Sequence, residues 1–97
     1  MEHIIYMTRL FDLYGALLTE QEIEVFSLYY EENLSMQEIA DIKEISKARV
    51  GVILKTVDKK LSDFESKLNF KNKADSILEL VKGHENIKEA VEEILTH

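Results

Sequence analysis

Between residues 50 and 68, the apolar side chains Val50, Leu54, Val57, Leu61, Phe64 and Leu68 recur at spacings of 4, 3, 4, 3 and 4. That alternation holds them on one stripe of an α-helix for nearly three heptads. A helix running from Ser46, a natural N-cap, to Leu68 would be roughly 34 Å long at the usual rise per residue. A compact three-helix module needs less, so the far end must lie against something. Two covers suit such a stripe: helices of the same chain, or the same stripe of a second copy in a coiled-coil dimer.

The rest of the chain is punctuated for helices. Proline is absent, glycine occurs only at Gly15, Gly51 and Gly83, and no stretch favours a sheet. "TEQE" at residues 19–22 and "SMQE" at residues 35–38 both fit the capping box, in which a hydroxyl and a glutamate satisfy each other's backbone donors. Upstream, Ile5, Leu10, Leu13 and Leu17 with Tyr6, Phe11 and Tyr14 form a broad apolar face, predicting a first helix that ends near Leu18. From Glu20 to Glu31 the stripe Ile23, Phe26, Tyr30, flanked by Val25, Leu28 and Tyr29, predicts a largely buried second helix. A third helix opens at Ser35 with Met36, Ile39 and Ala40, and breaks between residues 41 and 45. After the long helix, residues 73–83 and residues 86–97 each read as a short helix, the second with Asn86 and Glu89 as its cap pair. Helices this short are marginal alone and need a neighbour. The expected fold is all-α, a single domain over residues 1–97, with a C-terminal helical extension over residues 71–97.

Charge is distributed unevenly. The formal net charge is −7, which opposes non-specific attraction to a polyanion. Residues 1–45 carry 2 basic and 10 acidic side chains, residues 46–73 carry 8 and 3, and residues 74–97 carry 2 and 6. The basic middle third either binds an anion or is neutralised by its acidic flanks inside the folded molecule. With no cysteine there is no disulfide framework and no thiolate metal site, and with no apolar run of spanning length and no leader-like start, a cytoplasmic protein without membrane insertion is expected. His3, His84 and His97 are scattered and no glycine-rich phosphate loop occurs, so neither catalysis nor a metal or cofactor is expected.

Three blocks in order, "RLFDLYGALLTEQE", "FSLYYEENLSMQEIA" and a serine-opened helix leading into "KKLSDFESKL", resemble the YlxM proteins of low-GC Gram-positive bacteria and their wall-less relatives. The resemblance covers about residues 8–70. It implies a helix-turn-helix fold related to the fourth region of sigma factors. It also implies an accessory or regulatory role in the signal recognition particle pathway, with the particle's RNA or its GTPase as partner.

In a helix-turn-helix the second helix turns its first turn and a half to base edges. Here those positions are Lys47, Ala48, Arg49, Val50, Gly51, Val52, Ile53 and Leu54, and the polar readers found in relatives are mostly replaced by apolar residues. Relatives often place glycine near Glu44, where a left-handed residue closes the turn, so this turn is either strained or differently shaped. Lys47, Arg49, Lys55, Lys59 and Lys60 are the candidate nucleic-acid contacts; Arg49, Lys55, Lys59 and Lys60, with Lys67, fall on roughly the half of the long helix opposite the seam. Val52, Ile53, Leu61, Phe64 and Leu68 are the candidate partner or dimer contacts. Three functions are consistent with this pattern: binding RNA or protein of the signal recognition particle, transcription regulation on DNA, or protein interaction without nucleic acid.

Overall fold

The computed structural model describes residues 2–96, with the side chain of Thr96 excluded, so His97 lies outside the described residues. Within them the chain is helical from end to end: α1 (Glu2–Tyr14), a 3-10 turn (Gly15–Leu17), α2 (Glu20–Phe26) running on through a wider π turn (Ser27–Glu31), α3 (Met36–Lys43), α4 (Lys47–Leu68), α5 (Phe70–Leu80) and α6 (Glu85–Thr96). The fold is all-α, as the sequence predicts.

Helix starts follow the caps. Thr19 and Ser35 each form a complete capping box with Glu22 and Glu38, and the Ser46 hydroxyl accepts the Arg49 N–H. α4 therefore begins and ends where its seam predicts. α5 begins at Phe70, ahead of the expected residue 73, and α6 begins at Glu85, which puts Asn86 inside the first turn instead of at the cap. The first helix proper stops at Tyr14 and tightens into the 3-10 turn.

α4 is the axle. Val50, Ile53, Val57 and Leu61 are buried on it, with Met7, Leu10 and Tyr14 from α1, Leu18, Val25 and Phe26 from the second helical segment and its approach, and Ile39 and Ala40 from α3. Helices of the same chain thus cover most of the seam, and only its end at Leu68 stays open. Phe11 stacks on Phe26 with ring centroids 4.2 Å apart, and Phe26 meets Tyr30 at 4.6 Å. Such pairs add about 0.5–1.5 kcal/mol each beyond the area they bury. Tyr29 and Tyr30 are accordingly half-buried rim aromatics, in edge contact at 5.0 Å. The predicted first-helix face is broader than the buried one: Ile5 and Tyr6 of α1 and Leu17 of the 3-10 turn are exposed, whereas Met7 is buried. α1, α2 and α3 all pack on α4; α5 packs on α1, and α6 on α5.

Candidate nucleic-acid interface

The pair α3 and α4 is joined by a closed turn. Lys43 ends α3, Glu44 takes the left-handed conformation at φ 56° and ψ 44°, and both the Glu44 and the Ile45 N–H donate to the Ala40 carbonyl. Two orphan donors of the turn thereby share one orphan acceptor of the helix end, and Ile45 tucks against the core. Ser46 then returns to extended backbone and caps α4. The turn expected from a glycine is therefore made by a glutamate, at a conformational cost of about 1–2 kcal/mol.

This geometry decides which early residues of α4 face outward. Lys47, Ala48, Arg49, Val52 and Lys55 are exposed, while Val50 and Ile53 point into the core. Gly51 is half-buried, and a Cβ there would stand 3.0 Å from the methyl at the far end of the flexible Met36 side chain of α3. Of the apolar residues in place of readers, Val50 and Ile53 are buried in the core, Gly51 and Leu54 are half-buried, and Ala48 and Val52 stand clear of it.

The candidate cations divide by their partners. Lys60 leans toward α2 and donates to Glu22, 3.0 Å from Oε1 and 2.9 Å from Oε2. Burial pushes the Glu22 carboxyl up, but the bond from Lys60, followed by those from Thr19, outweighs it and holds the group below its ordinary range. Lys60 is thus committed to the fold. Lys59 meets Asp63 one turn on at 3.5 Å, an exposed pair worth little and easily exchanged for another anion. Lys47, Arg49 and Lys55 form no ion pair among the described residues. Lys47 and Arg49 lie in the first turn of α4, at the end where the helix dipole is positive, and Lys55 lies about two turns further on. The acidic flanks neutralise part of the basic third, including Lys60, and leave Lys47, Arg49 and Lys55 open.

Two further features were not legible in the sequence. α3 presents Glu38 and Asp41 to solvent beside the turn, with the exposed Glu44 following. Ile42, at the end of the same helix, is exposed to 57%. The candidate partner contacts also separate: Ile53 and Leu61 are buried within the chain itself, where a partner does not reach them, and Phe64 is half-buried with its ring centroid 5.9 Å from that of Tyr14. Val52 and Leu68 remain exposed. No group of three or more His, Asp or Glu side chains is placed to hold a metal ion among the described residues, and no helix there is long and apolar enough to cross a membrane.

A family model described as "Putative helix-turn-helix protein, YlxM / p13 like" matches residues 1–96. The UPF0122 protein of Clostridium acetobutylicum is 35% identical over 95 residues, covering 98% of this chain and 76% of its own length. Its counterpart in Clostridium perfringens strain 13 is 36% identical over 106 residues, covering 98% and 95%. That of Clostridium botulinum strain Alaska E43 is 40% identical over 74 residues, covering 76% and 68%. No solved structure matches the chain significantly.

Proposed function

This chain belongs to the UPF0122 family of YlxM- and p13-like helix-turn-helix proteins, and from that premise we propose that it is a non-enzymatic accessory protein of the signal recognition particle pathway that binds RNA through the first three turns of α4. The observation that carries the binding is the set Lys47, Arg49 and Lys55, three exposed cations of the first three turns of α4 without ion-pair partners among the described residues, on a molecule of net charge −7. Every other lysine of the candidate set has a carboxylate within 4 Å.

The chemistry favours phosphate contact over base reading. Arg49 and Lys47 suit phosphate oxygens, whereas exposed Ala48 and Val52 offer base edges only contact with a methyl group. Docking on duplex DNA in the usual pose lays the first helix of the motif across the backbone. Here that helix is α3, and Glu38, Asp41 and Glu44 would face the phosphates. This repulsion weighs against a transcription regulator of ordinary geometry. The pathway assignment rests on the family resemblance.

Fluorescence anisotropy of labelled signal recognition particle RNA, titrated beside an arbitrary DNA duplex at near-physiological salt, tests the proposal. RNA binding that Lys47→Ala with Arg49→Ala weakens, and whose log K falls with log salt at a slope of about −2 to −3, is expected for three phosphate contacts. Binding that favours the duplex restores the transcription reading. No binding to either moves the function to a protein partner.

A further inference from the structure

A single residue separates α4 from α5. Asn69 holds the left-handed conformation at φ 56° and ψ 29°, yet it bonds as a helical residue in both directions: its N–H donates to the Glu65 carbonyl at 2.8 Å, and its own carbonyl accepts the Lys73 N–H at 3.2 Å. Between those two bonds lie the backbone donors of Phe70, Lys71 and Asn72. In an unbroken α-helix they would go to the carbonyls of Ser66, Lys67 and Leu68. Here the Tyr14 hydroxyl takes the first and the Glu65 carboxylate the other two. The bend therefore exchanges three backbone bonds, one for one, for bonds to side chains. Neither proline nor glycine occurs between Val52 and Lys82, so nothing in the covalent chain enforces it.

We propose that α4 and α5 form a two-position element: the bent state described above, and a straight state in which residues 47–80 make one helix about 51 Å long, with Tyr14 and Glu65 as the catch that holds the bend. The docking that favours the bend is shallow. On α5 only Ala74 is buried, and the Tyr14 and Phe70 rings meet at a centroid distance of 6.3 Å. The Arg9–Asp75 pair that ties α5 to α1 is partly exposed and contributes little. Asparagine takes the left-handed conformation at less cost than most residues and still fits a helix interior. The two states thus differ by few interactions, which makes the straight one a minor population that a small bias selects. Projected at 100° per residue, Phe70, Ala74, Ile77 and Val81 share one stripe, roughly opposite the Val50–Leu68 seam on a straight helix. Straightening lifts α5 off α1, opens the core at Tyr14 and turns this second apolar stripe to solvent.

Electron-electron double resonance on the full chain tests this. The sequence has no cysteine, so Lys59→Cys and Glu79→Cys, both at exposed positions, take one nitroxide each. A straight helix sets them about 30 Å apart along its axis, and a bend at Asn69, midway between them, brings them closer. Asn69 is exposed, and its side chain accepts only the Asn72 amide among the described residues, so Asn69→Ala and Asn69→Gly lose the same contact and differ in backbone preference. Asn69→Ala should raise the ratio of long to short distance about 5- to 30-fold, and Asn69→Gly should lower it. Glu65→Ala strands the Lys71 and Asn72 donors in the bent state alone, so combined with Asn69→Ala it should make the long distance the main one. A short distance that persists unchanged in that combined variant overturns the proposal. So does a broad distribution with helicity lost by circular dichroism, which would mean that α5 undocks by melting instead of straightening.

Discussion

The hydroxyl of Tyr14 donates a 2.7 Å hydrogen bond to Oε1 of Glu65, across 51 residues of chain. The same carboxylate accepts the N–H of Lys71 at 2.9 Å and that of Asn72 at 3.3 Å, while the Tyr14 oxygen accepts the N–H of Phe70 at 3.1 Å. Asn69, at the N-cap position of α5, makes no side-chain cap of its own. A glutamate of α4 and a tyrosine of α1 therefore cap α5 jointly and fix its angle to the core. Glu65→Ala strands three donors at once and should destabilise the chain by about 2–3 kcal/mol, with Tyr14→Phe costing about 1–2 kcal/mol. Hydrogen exchange should show α5 and α6 losing protection before the α1–α4 core does. Uniform loss throughout would mean that this cap does not govern the hairpin separately.

Glu44 sits at φ 56° with its side chain exposed, so replacing it removes strain and breaks no core contact. Glu44→Gly should relieve about 1–2 kcal/mol of strain against roughly 0.5–1 kcal/mol of added chain entropy. The net gain, about 0.5–1 kcal/mol, would raise Tm by roughly 2–8 °C in a domain of this size. Glu44→Gln in the same thermal melts separates backbone relief from removal of a negative charge at the C-terminal end of α3. A rise of equal size for both variants would assign the effect to charge.

The elements readable from sequence are those set by neighbours in the chain. Thr19, Ser35 and Ser46 announce their helices because a cap needs only the next three or four residues. The seam from Val50 to Leu68 announces α4 for the same reason. The start of α5 was not readable, because its cap comes from Glu65 and Tyr14, and no local pattern at residues 69–72 encodes that. Nor does periodicity say which part of a broad stripe is used: Met7 is buried and Ile5 is not because only one angle of α1 meets α4. The same limit applies to the candidate site. Lys55 and Lys60 look equivalent as sequence, and only folding brings Glu22, 38 residues away, to one of them.

Acid should unfold the protein through its paired carboxylates. Glu22 is held below its ordinary 4.5 by the bonds from Lys60 and Thr19, which outweigh the upward push of burial. Asp75 is held below its ordinary 3.8 first by the bond from Lys71, with Arg9 adding to it against burial. A folded-state pKa below the unfolded one means that the charged form binds the fold. This stability is complete above about pH 5 and drains away as pH falls through the lowered values. Melts at pH 7, 5 and 3.5 should show most of the drop in the last interval. Glu22→Gln, which keeps an acceptor but not the charge, should lower stability at pH 7 by about 1 kcal/mol and make the acid step smaller. An unchanged acid step would place the titration elsewhere.

Lys55 and Lys60 allow fold and function to be separated with one substitution each. Lys60→Ala leaves Glu22 buried without its cation, and since the lysine is itself 39% exposed, the loss should be about 1–2 kcal/mol, below that of a fully buried pair. Its effect on RNA affinity should stay within about twofold, because its charge is already spent on Glu22. Lys55→Ala should do the reverse. Its ammonium has no carboxylate partner among the described residues, so stability should move by less than about 0.5 kcal/mol. RNA binding should weaken at every sequence offered, and the slope of log K against log salt should become shallower by about 0.7–0.9, the share of one phosphate contact. If Lys60→Ala instead weakened binding at unchanged stability, the Glu22 pair would open in the complex and the cationic surface would extend to the α2 side of α4.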